Sequence, residues 1–173
     1  RYHFTRDTAE YRAESEQGLT FGYGATYRLI STSPPRELVI ALVQADSPAA
    51  QAGLERGARI VTVDGVDLVN GTDAATLNAG LWPGQINEEH SFEVLDPGAS
   101  EPRSITMRSG QISTDAVPMT RILDTDSGKV GYLLFTDHIL TAEQQLIDAI
   151  TEMRNASVTD LVLDLRYNRG GYL

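Results

Sequence analysis

Residues 164–171, DLRYNRGG, form a compact group of charged, amide and glycine residues. They continue an apolar run that reads as a parallel strand, and open α/β sheets place their sites beyond the carboxyl ends of such strands. Asp164 and Arg166 could act directly on a substrate, or one could pair with the other or with neighbouring turn N–H groups and so hold the glycines. We favour the pairing, so the segment is a candidate site whose two charged residues are structural.

Ser127 and Lys129 are two residues apart, and a serine beside a basic lysine is one form of activated nucleophile. Both lie in a DSGK turn that leads into a strand, and nothing in the neighbouring sequence would orient them. We therefore interpret them as turn residues. The histidines, His3, His90 and His138, lie in unrelated segments and are interpreted as surface or boundary residues.

Metal and thiol chemistry have little support in the sequence. Glu88, Glu89 and His90 are consecutive, so their side chains point in different directions, and we interpret them as a solvated loop and not as metal ligands. Cysteine is absent, which excludes disulfides, thiolate zinc sites and a cysteine nucleophile. We predict no metal and no cofactor.

Gly22, Tyr23, Gly24 and Ala25 form a second candidate site. Glycines let successive backbone N–H groups turn toward one point, where they can bind an anionic chain terminus. Residues 25–30 are predicted to form a strand with a free edge, to which an extended peptide can pair. The alternative is a glycine-rich β-turn without a ligand.

The segment that supports peptide binding is residues 47–65, SPAAQAGLERGARIVTVDG. Ser47 and Pro48 predict the start of a short helix, and residues 59–63 alternate as in a half-buried strand. Together with the glycine loop upstream, this order resembles the middle of a PDZ domain of the kind found in bacterial proteases. The resemblance implies a partly open β-barrel with two helices, which binds the C-termini of proteins or peptides.

A second helix is predicted over residues 70–81, with Asp73 as its cap. Leu77 and Leu81 are four residues apart and fall on one face. In the PDZ resemblance this helix forms the second wall of the peptide groove. Both leucines are therefore core or pocket lining, and core is favoured for at least one of them.

A strand, a helix and a second strand must position the DLRYNRGG segment. Residues 129–135 and 160–166 read as buried strands, and Thr141 with Gln144 matches a capping box at the start of the helix between them. The apolar face of that helix is formed by Leu146, Ile147, Ile150 and Met153. This order predicts a parallel βαβ unit with a right-handed crossover.

Residues 164–171 resemble the D-L-R-x-N-x-G-G motif of the S41 serine peptidases, the C-terminal processing and tricorn-like proteases, although Arg169 stands where the family often has Pro or Gly. A PDZ domain directly upstream is the usual arrangement in that family. The resemblance implies a ClpP/crotonase-like protease domain, in which a lysine activates a serine nucleophile, both beyond the end of this chain. It also implies that Gly170 or Gly171 contributes a backbone N–H to the oxyanion hole.

The chain of 173 residues is long enough for one or two small domains. We divide it into an N-terminal segment (1–17), a PDZ domain (18–112) and the start of a peptidase domain (113–173), so the predicted fold class is mixed α+β. A net charge of −10 argues against nucleic acid and anionic membrane surfaces as partners. No apolar run approaches the length of a membrane span, and both ends look like cuts in a longer protein.

The sequence therefore indicates the N-terminal part of an S41 serine endopeptidase that binds a C-terminal tail in its PDZ groove and cleaves the chain nearby. Since the implied serine and lysine lie outside the chain, we expect it to be inactive by itself. The alternative is a non-catalytic protein, in which the PDZ domain and the βαβ unit form a recognition scaffold. The absence of cysteine fits a location in the bacterial cell envelope, in the periplasm.

Overall fold

The computed structural model describes residue 5, residues 7–168 and residues 170–171. The chain divides into two units. One unit is Phe21–Ile112, and the other joins the described parts of Arg1–Thr20 and Ser113–Leu173. No helix in the described residues is both long and apolar enough to cross a lipid bilayer.

Four helices and eleven strands are described. In chain order they are α1 (Thr8–Gln17), β1 (Leu19–Gly22), β2 (Ala25–Ser31), β3 (Glu37–Val43), α2 (Pro48–Gln51), β4 (Arg59–Val63), β5 (Val66–Asp67), α3 (Ala74–Leu81), β6 (Glu89–Leu95), β7 (Arg103–Arg108), β8 (Gly110–Ser113), β9 (Met119–Thr125), β10 (Gly128–Leu134), α4 (Ala142–Asn155) and β11 (Asp160–Asp164). Strands β1 and β8 pair in a two-stranded sheet.

The unit Phe21–Ile112 is built on a six-stranded antiparallel sheet. Its strands lie in the order β2-β3-β4-β6-β7, and β5 pairs with β4. Ile40, Ile60 and Phe92 point inward and form the centre of a core that the two helices help to cover. The predicted fold class was mixed α+β, with a partly open β-barrel and two helices in this part of the chain. The mixed fold is confirmed, and the strands form an open sheet.

Capping residues fix the starts of α2 and α3. The Ser47 hydroxyl accepts the N–H of Ala50 at 3.2 Å. The Asp73 carboxylate accepts the N–H of Thr76 at 3.1 Å, and the hydrogen bonds from the Thr76 hydroxyl and backbone lower the pKa of Asp73. Both caps agree with the sequence, although α3 starts just after Asp73 and is shorter than the predicted helix 70–81.

The other unit contains the three-stranded sheet β11-β10-β9. Strand β10 is antiparallel to β9 and parallel to β11, with α4 between the two parallel strands. The predicted βαβ unit is therefore present. Leu133 of β10 packs with Ala149 and Met153 of α4 in a second core cluster.

The predicted capping box of α4 is wrong. Thr141 itself has helical backbone angles, and its side chain makes no capping hydrogen bond. Gln144 donates instead to the carboxylate of Asp148, one turn later, at 2.8 Å. A residue already in the helical region cannot present its hydroxyl to the first free N–H groups as a cap does.

The predicted apolar face of α4 is partly wrong. Met153 is buried, and Leu146 packs against the core, but Ile147 and Ile150 are about half exposed. Ala149 takes their place in the buried stripe. At about 100° per residue, positions 146, 149 and 153 share one side of the helix, and 147 and 150 lie beyond it.

The second strand of the βαβ unit is not buried as predicted. Leu161, Val162 and Leu163 of β11 are each about half exposed. Strand β11 stands at the end of its sheet order and pairs with β10 alone among the described residues. An apolar run predicts a strand that is buried on both faces. Burial also requires residues that pack against the strand, and the described part of the chain does not cover β11.

Candidate functional site

The glycine loop between β1 and β2 is held from one side. The carbonyl of Tyr23 accepts the N–H of Ala49 at 2.9 Å, and the carbonyl of Gly24 accepts the N–H of Gln44 at 2.8 Å. A trans peptide places its N–H opposite its C=O, so the N–H groups of Gly24 and Ala25 point away from these contacts. Two successive donors of this kind can bind a carboxylate.

Gly24 is required by both its conformation and its surroundings. Its φ is 76°, and a Cβ built on it would lie 2.3 Å from the Cβ of Ser47. Gly22 has a φ of 140° but open space around it. The loop therefore approaches the cap of α2 at Gly24 as closely as a bare backbone allows.

An apolar groove lies between β2 and α3. Strand β2 stands first in its sheet order, so its outer edge has no strand partner among the described residues. A cavity of about 360 Å³ is lined by Tyr27 and Leu29 from β2 and by Leu77 and Leu81 from α3. Both of these α3 leucines also belong to the core. The sequence left open whether they are core or pocket-lining residues, and each of them is both.

One polar atom in the wall of this groove is unpaired. The hydroxyl of Tyr27 is buried and has no hydrogen-bond partner in the part of the chain that the structure describes. Burial raises the pKa of Tyr27, and the nearby Tyr23 raises it further. The exposed Trp82 packs edge-on against the Tyr27 ring at a centroid distance of 6.2 Å.

The loop after β11 is organised by Asp164. Its carboxylate accepts hydrogen bonds from the Arg166 guanidinium at 3.0 Å and from the Tyr132 hydroxyl at 2.7 Å. These hydrogen bonds hold the pKa of Asp164 well below its usual range, and the bond with Arg166 has the larger effect. The hydrogen bond to Asp164 raises the pKa of Arg166 and of Tyr132. Of the two structural pairings left open by the sequence, that of Asp164 with Arg166 is present, and Asp164 also accepts the backbone N–H of Arg166.

Gly170 and Gly171 follow this loop and have positive φ angles of 81° and 133°. The N–H of Gly170 donates to the Asn168 side chain at 2.9 Å, and its carbonyl accepts the N–H of His138 at 3.0 Å. A Cβ on Gly171 would lie 2.4 Å from the His138 carbonyl oxygen. The double glycine is thus packed directly against the segment that follows β10.

Ser127 and His90 lie apart from these two loops in the sequence and contact other side chains. The Ser127 and Thr125 hydroxyls are 3.1 Å apart, and Thr125 also donates to the carbonyl of Gly128, as expected for a turn. His90 contacts the Asp64 carboxylate at 2.6 Å. The described residues contain no cluster of three or more potential metal-binding side chains. His3 and Arg169 lie outside the described residues.

Sequence reasoning missed the distant contacts that three residues make with or within the candidate loops. Tyr132 hydrogen-bonds to Asp164, and His138 contacts both glycines of the double-glycine segment. The hydroxyl of Tyr23 donates to the carbonyl of Gly80. These partners are about 30 to 60 positions apart, and no local spacing pattern predicts pairs so distant.

The sequence models of two protein families match parts of the chain. The PDZ domain matches residues 39–80, and peptidase family S41 matches residues 129–173. The carboxyl-terminal-processing protease of Synechocystis sp. is 31% identical over 140 residues, which cover 79% of this chain and 32% of that protein. The chloroplastic carboxyl-terminal-processing peptidase 2 of Arabidopsis thaliana is 28% identical over 162 residues, 90% of this chain and 30% of that protein. The chain spans about a third of the length of these relatives.

Solved structures share the fold. The crystal structure of a putative S41 protease from Bacteroides fragilis superposes with a TM-score of 0.66 at 23% identity, covering 88% of this chain and 42% of that one. The structure of the photosystem II D1 C-terminal processing protease superposes with a TM-score of 0.59 at 23% identity, covering 89% of this chain and 41% of that one. At this level of identity the likeness concerns the architecture alone.

Proposed function

We propose that this chain belongs to a serine-type endopeptidase and recognises the C-terminal tails of its substrates, because models of the PDZ domain and of peptidase family S41 match it. The observation that carries this proposal is the groove of Phe21–Ile112. A loop with outward N–H groups leads directly into an edge strand, and an apolar cavity lies beside that strand. These are the features that an extended peptide with a free carboxylate requires.

In this proposal the peptide pairs with the outer edge of β2. Its terminal carboxylate lies at the loop formed by Gly22, Tyr23, Gly24 and Ala25, where the N–H groups of Gly24 and Ala25 donate to it. Its apolar side chains enter the cavity lined by Leu77 and Leu81. Backbone pairing contributes affinity that is independent of sequence, and the cavity selects apolar side chains.

In the proposed peptidase, the double glycine, Gly170 and Gly171, contributes to catalysis. A backbone N–H there would donate to the scissile carbonyl oxygen as negative charge develops on it, which lowers the barrier to attack. Since Gly170 already donates to Asn168, we assign the oxyanion donor first to Gly171, with Gly170 holding the loop. The nucleophilic serine and the basic lysine are those that the family resemblance implies, and neither is assigned to a residue of this sequence.

We also propose the bounds of the domains and the cellular location of the protein. The PDZ domain comprises residues 18–112, the peptidase part residues 113–173, and residues 1–17 form an N-terminal segment. We propose a location in the bacterial cell envelope, in the periplasm, with which the absence of cysteine is compatible; relatives such as that of Synechocystis sp. are bacterial. Fractionation of the source cells tests this location.

Isothermal titration calorimetry tests the recognition step. We expect the chain to bind a peptide that ends in a free, apolar C-terminal residue, and to bind the C-terminal amide of the same peptide more weakly. Amidation removes the charge that the loop donors are arranged to meet. Equal affinities for the acid and the amide would contradict the proposal.

A further inference from the structure

Tyr23 connects the two sides of the proposed peptide groove. It lies in the middle of the glycine loop, yet the residue is only 3% exposed, and its ring packs edge-on against Phe92. Its hydroxyl donates to the carbonyl of Gly80 at 3.0 Å. Gly80 belongs to the last turn of α3, so this one bond joins the loop to the opposite helix.

The acceptor of this bond is a group that the helix cannot satisfy by itself. The last four carbonyls of an α-helix lack intrahelical partners, and Gly80 is the penultimate residue of α3. Burial first, and then the nearby Asp64 and Glu88 carboxylates, raise the pKa of Tyr23, so its hydroxyl remains a donor throughout the ordinary pH range. Removing the hydroxyl would leave the carbonyl without this donor.

The last turn of α3 is itself held firmly in place. A Cβ on Gly80 would lie 2.3 Å from Cγ1 of Val63 and 3.2 Å from the Asp64 carboxylate. Asp64 in turn accepts hydrogen bonds from His90 and from the N–H of Ser91. The Gly80 carbonyl is thus a fixed point, and the loop is tied to it through Tyr23.

We propose that Tyr23 is a positioning residue, whose hydroxyl fixes the glycine loop relative to α3 and thereby gives the groove its selectivity for a free carboxylate. This inference rests on the proposed function. Without the bond, the loop keeps its hydrogen bonds to Ala49 and Gln44 but is no longer tied to α3, so the N–H groups of Gly24 and Ala25 no longer hold the carboxylate at a set place relative to the helix. The apolar contacts of the peptide do not depend on the loop.

The chain offers a control tyrosine outside the groove. Tyr11 lies in α1, which belongs to the other unit, and it is 50% exposed. Tyr11→Phe therefore removes the same oxygen from a residue that does not line the groove. Tyr23→Phe removes that atom together with the link to Gly80.

The experiment measures the binding of one apolar peptide, as free acid and as amide, to the chain and to both variants at a temperature where all are folded. Tyr23→Phe is expected to weaken binding of the acid about three- to tenfold and to bring the acid-to-amide affinity ratio close to one. Tyr11→Phe is expected to leave the ratio within about twofold of the original. A merely structural role for Tyr23 would lower the melting temperature without changing the ratio.

The outcomes distinguish this inference from the proposed function. If the original chain shows no preference for the acid, the proposed function fails and the inference with it. If the original chain prefers the acid and a folded Tyr23→Phe variant keeps the same ratio, the inference alone is overturned. Should that variant not fold, NMR of the original chain decides: the Tyr23 hydroxyl proton is expected to shift more with the acid than with the amide, and equal shifts would overturn the inference.

Discussion

The contact of Gly24 with Ser47 shows how one residue sets the geometry of the glycine loop. The Ser47 side chain is buried and caps α2 through the N–H of Ala50. The bare backbone of Gly24 occupies the space directly beside it, with a φ that side chains rarely adopt. The loop, the helix cap and the left-handed conformation therefore depend on a single missing Cβ.

The cost of backbone strain at Gly24 can be separated from the cost of the collision with Ser47 by comparing Gly24→Ala with a control, Gly98→Ala. Gly98 has a similar φ of 80° but nothing within 4 Å of the position that a Cβ would take, so its replacement costs only the backbone strain, about 1–2 kcal/mol. Gly24→Ala adds a collision with Ser47, and overpacking of this kind costs about 1–3 kcal/mol more. Urea unfolding of both variants measures the difference, and equal losses of stability would show that the loop relaxes freely.

Several side chains that act on their own neighbours were predictable, although the Thr141 cap was not, and those that act at a distance were not predictable. The Asp73 and Ser47 caps and the pairing of Asp164 with Arg166 involve partners two or three positions apart, where residue type and spacing determine the contact. The contacts of Tyr23 with Gly80 and of Tyr132 with Asp164 depend on how strands and helices are arranged. No periodic pattern encodes such pairs.

At the scale of elements, β10 and β11 have similar apolar sequences but different surroundings. Strand β10 lies between two partners, and its Leu133 and Leu134 are buried. Strand β11 pairs on one side among the described residues, and the exposed fractions of Leu161 and Val162 are close to one half. Their local stabilities should differ, since opening β11 breaks one ladder and exposes little additional apolar surface.

Hydrogen exchange measures this difference directly. We expect the β11 amides that bond to β10 to exchange at least about tenfold faster than the amides that bond β10 to β9. The comparison is made at two protein concentrations, because an apolar edge strand can gain protection by pairing with a second chain. Equal, concentration-independent protection of both strands in a demonstrated monomer would contradict the expectation and mean that β11 is already covered.

The order of elements could be read from the sequence more reliably than their burial. Strand, helix and parallel strand follow from apolar runs and their lengths, and β10, α4 and β11 have that arrangement. Whether Ile147, Ile150 or Val162 is covered depends on what packs against each face. That information is absent from the local pattern, which is why the predicted faces of α4 and β11 differ from the observed ones.

At the scale of the whole molecule, the proposed recognition groove and the double glycine belong to different units. Each unit has its own apolar core, one centred on residues such as Phe92 and the other on residues such as Leu133. The groove is complete within Phe21–Ile112. Peptide binding should therefore be measurable whether or not the chain can carry out the chemistry of a peptidase.

The chain by itself is expected to bind such a peptide but not to hydrolyse it. The bonded Asp164 stays ionised as the pH falls below the usual range of a carboxyl group, because its pKa is lowered, so it has no proton to donate at neutral pH. Ser127 lies in a turn and contacts Thr125, so we assign it no part in catalysis. The measurement is turnover of a fluorogenic peptide by purified chain, with Ser127→Ala and Lys129→Ala as controls. Turnover that either substitution abolishes would show that this turn is a working serine–lysine pair and that the assignment of catalysis to other residues is wrong.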